Sequence, residues 1–228
     1  MTPAPGPSQL AKYARDIATL PGDAASGYRN AGMRGVWDAV ACRTVHRVIR
    51  VSRLTVFAQA LDALPEVAPP AGITISRLRS DLVGAMAPIA GRRDRERFRG
   101  LLAVGCVGLV AWKAGRPVGY AWIAREMRPE VSLYPLDLPR HAAYLWDLYV
   151  VPAERCGGLG SALAAERLRT AGELGFTEGW RMVAPDNVAS LRTLRRTGLQ
   201  PRVVGEVRCL KLGPRLFGGF TPCPPPTR

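Results

Sequence analysis

The stretch LWDLYVVPAERCGGLGSALAAERLR, residues Leu145 to Arg169, decides the fold. Its β-prone run Leu148-Tyr149-Val150-Val151 stops at Pro152, passes through an Arg-Cys-Gly-Gly-Leu-Gly turn, and opens into a helical pattern near Ser161. A strand, a glycine-rich turn and a helix in that order make an anion-binding junction. The first N–H groups of a helix lack intrahelical partners, and the positive end of its dipole faces the turn. Gly157, Gly158 and Gly160 would let the turn reach unusual φ and leave no Cβ between backbone and ligand. The turn is expected to hold a phosphate.

Three glycine-rich phosphate turns compete for this stretch. A P-loop needs Gly-Lys before Ser or Thr, and Gly160 is followed directly by Ser161. A dinucleotide fingerprint needs a third glycine where Leu163 stands. What fits is Arg155-x-x-Gly158-x-Gly160 after a Val-x-Pro strand end, and it resembles the pyrophosphate-arm signature of the GNAT superfamily of acyl-CoA N-acyltransferases. About thirty residues downstream, Asn187-Val-Ala-Ser190-Leu191 through Leu194 to Gly198-Leu199 is similar to the family's second motif helix, with Leu194 where an aromatic general acid often stands.

The resemblance implies an α/β fold of GNAT type, a mixed central sheet splayed at the acyl-CoA site, with an N-terminal helical extension. It divides the chain into an extension over 1–71, an acyltransferase domain over 72–213 and a disordered Gly/Pro-rich tail over 214–228. It implies acetyl-CoA or another acyl-CoA as co-substrate and an amine as acceptor, joined by direct transfer. Contacts to CoA are expected from Leu148, Tyr149, Val150, Arg155, Cys156, Gly157, Gly158, Leu159, Gly160, Ser161, Asn187 and Ser190. Cys156 replaces the commoner glycine of the turn and reads either as a reactive thiol or as a packing substitution. Another reading keeps the fold as an acyl-CoA-binding or regulatory module that transfers weakly and meets an anionic partner through a basic helix.

An ammonium has no lone pair, so an amine acceptor must lose a proton to a base. The family's glutamate positions correspond to Trp146 and Met182, and its acid to Leu194, all three apolar here. Tyr144, on the Trp146 side of the strand by alternation, and His141, just before the strand, are candidate catalytic groups. Asp147 is a third; alternation turns it away from Trp146, towards a structural hydrogen bond.

The formal net charge is +14, carried almost wholly by arginine, and CoA phosphates account for only part of it. The remainder suits an anionic surface or an acidic partner, or a solvated arginine coat. Few aromatics accompany the arginine runs, so a nucleic-acid stacking platform is not expected. A polycationic acceptor is disfavoured by the same field, whereas aminoglycosides, amino sugars, amino acids and protein N-termini all suit the motifs. Five cysteines without a C-x-x-C pair and two histidines suggest neither a disulfide framework nor a metal site. No apolar run reaches membrane-spanning length, and MTPAPGPSQL lacks the features of a secretory signal, so a cytoplasmic location is expected. Oligomeric state stays open.

Along the chain, a short helix is expected over Ser8–Leu20. A basic amphipathic helix is expected over Met33–Arg53, with Val36, Val40, Val45, Val48 and Ile49 on one side and Arg43, Arg47 and Arg50 on another. Leu54–Leu61 has strand character, and Glu66–Ala71 reads as a connector. From Gly72 the pattern predicts a strand at Ile73–Ser76, a helix capped by Ser80-Asp81 and running to Ile89, and a charge-dense helix over Arg92–Arg99. Two strands, Val107–Trp112 and Val118–Ala124, flank a hairpin turn, and a proline-rich loop, Met127–Arg140, leads into the central strand. A helix to Leu174, a strand at Trp180–Ala184, the motif helix closed by Gly198 and two short apolar runs within Val203–Leu212 complete the pattern.

Overall fold

The structure is a computed structural model that describes residues 49–62, 64, 67–132, 134–196, 201–212 and 215–223. The helices expected over Ser8–Leu20 and 33–48, the closing Gly198 and the tail from 224 lie outside the described residues. The chain divides into two compact units: residues 53–208 with 218–228, and residues 1–52 with 209–217. The site lies wholly in the first.

Eight strands form one sheet: β1 (Ile49–Ala60), β2 (Ile73–Arg77), β3 (Val107–Lys113), β4 (Arg116–Ala124), β5 (Ala142–Val150), β6 (Glu178–Val183), β7 (Arg202–Leu212) and β8 (Arg215–Pro222). Their order is β2-β3-β4-β5-β6-β1-β7-β8. Strands β2 to β5 are an antiparallel meander. The β3–β4 link is the two-residue turn Ala114-Gly115, with φ of 47° and 73°, the paired positive φ of a type I′ hairpin. Three helices follow from the expected patterns: α1 (Arg92–Ala103), α2 (Leu159–Glu173) and α3 (Val188–Arg196).

Alternation along the strands builds a core on each face of the sheet. On one face Phe98 of α1 packs edge-on to Tyr120, with ring centroids 5.1 Å apart, and beside Trp122 at 5.2 Å. On the other, Leu159, Leu163, Leu168 and Ala171 of α2 bury against Leu109, Ala111, Val118, Ile123, Leu145 and Val150. Helix α2 is the crossover that makes β5 and β6 parallel neighbours. Their ladder covers only Ala142↔Glu178 to Tyr144↔Trp180. Beyond it the strands line a cavity, so the sheet is the expected mixed α/β sheet opened between these two strands.

Four expectations are corrected. The basic helix does not run to Arg53: Ile49–Arg53 is already strand, because β-branched Ile49 and Val51 alternate with Arg50 and Ser52 and suit a pleated ribbon better than a helix. Ser80-Asp81 caps no α-helix; Ser80–Met86 is a 3₁₀ segment whose N-cap is Arg79, and Asp81 accepts two hydrogen bonds from the Arg79 guanidinium instead. The apolar runs around Gly205-Glu206 belong to one strand, β7, not two. Residues 215–222, expected in a disordered tail, form β8. There the glycines permit close packing: a Cβ at Gly205 would stand 2.4 Å from the Phe220 ring and from the Thr221 carbonyl oxygen.

Candidate active site

A cavity of about 670 Å³ opens where β5 and β6 part. Its walls are Leu145–Val150 of β5, the turn residues Arg155, Cys156, Gly158, Gly160 and Ser161, Arg181–Val183 of β6, and Asn187, Ser190 and their neighbours on α3. Arg167 of α2 completes them. The two sequence motifs, separate in the chain, thus meet at one concavity. Of the expected CoA contacts only Gly157 and Leu159 are missing from the lining, and Leu159 is buried in the α2 core instead.

Of the three turn glycines only Gly158 takes a positive φ. Gly158, the residue before α2, has φ of 87°, and Cys156 takes the same left-handed conformation at 66°. A Cβ at Gly158 would stand in open space, and one at Gly160 would meet only Val150 Cγ2 at 4.0 Å. Side chains there would fill the cavity without meeting the protein, so the space fits a pyrophosphate against backbone N–H groups. Arg155 is held at the turn by its Nε, which donates to the Val150 carbonyl at 3.0 Å. Asn187 caps α3: its Oδ1 accepts the Ser190 N–H at 3.0 Å. These residues can hold the phosphates and arm of an acyl-CoA.

Strand β5 is irregular at the cavity. Gly119, Tyr120 and Trp122 of β4 face Val150, Tyr149 and Trp146, so Asp147 and Leu148 together oppose the single residue Ala121. This is a β-bulge, and its first residue, Asp147, has φ of 49°. The bulge reverses alternation. Tyr144 stacks on Trp146 at 5.7 Å, Tyr149 stacks on Tyr120 at 5.4 Å, and Leu148 packs with the α2 core. Asp147 therefore does not turn away from Trp146 to the α2 face as alternation predicts; it reaches α1, where Arg97 Nη2 donates to its Oδ2 at 3.0 Å. Its side chain remains partly exposed at the cavity wall, and among the described residues it is the one carboxylate of the lining.

The other two catalytic candidates do not line the cavity. Tyr144 is buried, and that burial raises its phenol well above the ordinary value, so it remains protonated. His141 lies at the far end of β5, 3.7 Å from Glu178, with its side chain largely exposed. Trp146 and Met182 occupy the wall as apolar residues, while Leu194 is buried away from it.

Sequence reading missed Arg167 and Arg181. Both are buried in the cavity wall. Arg167 Nη1 donates to the Trp146 carbonyl at 3.0 Å, an oxygen beyond the end of the β5–β6 ladder, and Arg181 Nη2 donates to Gln59 Oε1. A signal for Arg167 was present: Leu163, Arg167 and Ala171 are four apart and share the core stripe of α2.

Residues 77–199, more than half of the chain, match the model of the acetyltransferase (GNAT) family, and the chain belongs to that family. No curated protein sequence matches it. Among solved structures, a Drosophila protein is similar with a TM-score of 0.53 at 19% identity, over 82% of this chain and 57% of that one. A GCN5-related N-acetyltransferase from Kribbella flavida is 20% identical with a TM-score of 0.47, over 75% of this chain and 62% of that one. Ribosomal-protein-alanine N-acetyltransferase from Brucella melitensis is 23% identical with a TM-score of 0.44, over 55% of this chain and 83% of that one. The chain thus spans less than two thirds of the length of the first two. The Drosophila likeness is one of fold. Among the described residues no helix is long and apolar enough to cross a membrane, and no group of His, Cys, Asp and Glu could hold a metal ion.

Proposed function

We propose that this chain is an N-acyltransferase that moves an acyl group from acyl-CoA to an amine. One observation carries the reading: a single cavity joins the glycine turn at the α2 N-terminus to the gap between β5 and β6. Arg155, Gly158, Gly160 and Ser161 hold the pyrophosphate, Asn187 and Ser190 meet the pantetheine and adenosine-diphosphate portions, and the backbone of Leu148–Val150 guides the arm. Bound there, the thioester supplies an activated acyl carbon. Past Tyr144 the β6 edge of β5 is released from its ladder, and backbone N–H groups on that edge are able to stabilise the charge that develops on the thioester oxygen. Asp147 takes the proton that the ammonium must lose, the neutral nitrogen then bonds to the acyl carbon, and as the carbon–sulfur bond breaks the second proton shed by that nitrogen neutralises the leaving thiolate, so that CoA departs as the thiol. Positioning of the two reactants contributes the larger share of the rate.

Calorimetric titration with CoA and acetyl-CoA tests the reading, alongside a variant carrying Gly158→Asp and Gly160→Asp. Binding by the wild-type protein that the folded variant lacks, followed by acylated product from a panel of amines, is the expected result. A folded wild-type protein that binds neither ligand overturns it.

A further inference from the structure

Arg167 and Arg181 are only 4% and 6% exposed. Among the described residues each makes a single hydrogen bond, to a neutral oxygen, and the Nε of each has no partner. Among the described residues no carboxylate pairs with either. Arg181 shares its strand face with Gly179, where an added Cβ would meet Leu145 and Leu168, so it points to the α2 side, as Arg167 does from α2. Two guanidinium groups buried together on one side of a sheet with no carboxylate in ion-pair contact are costly, and they make a site for an anion.

Their place in the cavity says which anion. The glycine turn follows Val150, and the strand from Val150 back to Trp146 covers about 13 Å at roughly 3.3 Å per residue. An acyl-CoA with its phosphates at the turn and its arm along β5 brings its acyl end to the bulge, beside the carbonyl that Arg167 holds. We propose that Arg167 and Arg181 form a carboxylate subsite for the far end of the acyl group, so that the preferred donor is a CoA thioester of a short dicarboxylic acid, of malonyl or succinyl size. The inference rests on the acyl-CoA reading above. A planar carboxylate meets the guanidinium forks with charge-assisted hydrogen bonds that an uncharged acyl chain cannot make. Burial lowers Arg167 to about 9 and Arg181 to about 10, which leaves both cationic at neutral pH.

The test compares the affinities of CoA, butyryl-CoA, malonyl-CoA and succinyl-CoA for the full chain by calorimetry. Butyryl-CoA matches succinyl-CoA in carbon number without the charge. Malonyl- or succinyl-CoA binding at least about tenfold tighter than butyryl-CoA is expected. In Arg167→Gln and Arg181→Gln that ratio falls toward one, each variant referred to its own CoA affinity. Equal affinity for butyryl- and succinyl-CoA in a wild-type protein that binds CoA overturns the subsite and leaves the acyl-CoA reading standing, whether or not either variant folds. Selectivity that survives in both variants overturns it too, as does a preference for acidic amine acceptors without acyl selectivity. If no thioester and no CoA binds, the acyl-CoA reading itself fails and the subsite falls with it.

Discussion

Arg97 of α1 holds Asp147 of β5 across 3.0 Å, so the helix densest in charge is fastened to the residue where the central strand is irregular. The pair is partly exposed, and an ion pair of that kind contributes only about 0.5 to 1 kcal/mol to stability. Arg97→Ala is therefore expected to unfold within about 1 kcal/mol of the wild type in urea, while acyl transfer slows by about tenfold as Asp147 loses its orientation. Asp147→Asn keeps the geometry and removes the proposed base, with an expected loss of about 10² to 10³ in kcat/KM. Equal activity of Asp147→Asn and the wild type excludes Asp147 as proton acceptor.

The conformation of Asp147 makes a separate prediction. A β-branched residue at φ of 49° costs about 1 to 2 kcal/mol more than aspartate, asparagine or glycine, whose side chains tolerate the left-handed region. Asp147→Val should lose about that much stability in denaturant, and Asp147→Gly should lose little. The two variants share the loss of the carboxylate, so their difference reads the backbone alone.

Cys156 takes the same backbone region at φ of 66° in the turn before α2. Cys156→Gly relieves the strain and is expected to raise stability by up to about 1 kcal/mol, since glycine's greater unfolded-state entropy offsets part of the gain. Thermal melts with and without CoA check this, the CoA-induced shift staying as in the wild type.

The buried arginines set a pH dependence of unusual sign. Burial, joined for Arg167 by repulsion from Arg181 and opposed by Tyr144 and Asp147 of β5, lowers Arg167 to about 9; burial alone lowers Arg181 to about 10. Both lie below the ordinary arginine value of the unfolded chain, so between the folded and unfolded values the unfolded chain binds more protons and these two groups make stability rise with pH. A bound carboxylate draws the values back up. The ratio of succinyl-CoA to butyryl-CoA affinity should thus be constant below about pH 8 and fall towards about pH 10.5, with proton uptake on binding. A ratio flat across this range counts against the subsite.

Glu178 behaves in the ordinary sense. Burial pushes its carboxyl up, but the Trp180 indole at 2.7 Å and Arg202 at 2.9 Å, with His141 nearby, outweigh burial and hold it below 4.5. Its contribution is complete above the unfolded value and disappears as the pH falls through the lower folded one. Glu178→Gln should cost about 1 kcal/mol at neutral pH, with a shrinking difference from the wild type in acid unfolding below about pH 4.

What the sequence disclosed was local. Arg155, Gly158 and Gly160, the α2 helix and Asn187 with Ser190 were legible because turn chemistry and helix caps depend on neighbours in the chain. The Asp147 bulge was not, since it exists only in the mismatch of two residues against Ala121 on another strand. The start of β1 was hidden because a few β-branched residues satisfy helical and strand periods alike. Strand β8 was masked by glycines and a proline that read as tail until Phe220 meets Trp180, 6.3 Å away. Arg167 and Arg181 were overlooked because arginine is ordinarily a surface residue, and only the closed wall shows that these two are not.

Strand β1 supports the cavity from outside the signature motifs. Thr55, Val56 and Phe57 pair with Val183, Met182 and Arg181, the residues of β6 that have already left the β5 ladder and line the cavity. One wall of the pocket is thus hung on a strand synthesised long before the rest of it. During translation β1 must wait, with both edges unpaired, for almost the whole chain to emerge. Such distant pairing makes for slow folding and a vulnerable nascent chain. A shortened protein beginning at Gly72 would keep every residue of both motifs and still lack the neighbour that keeps Arg181–Val183 in place.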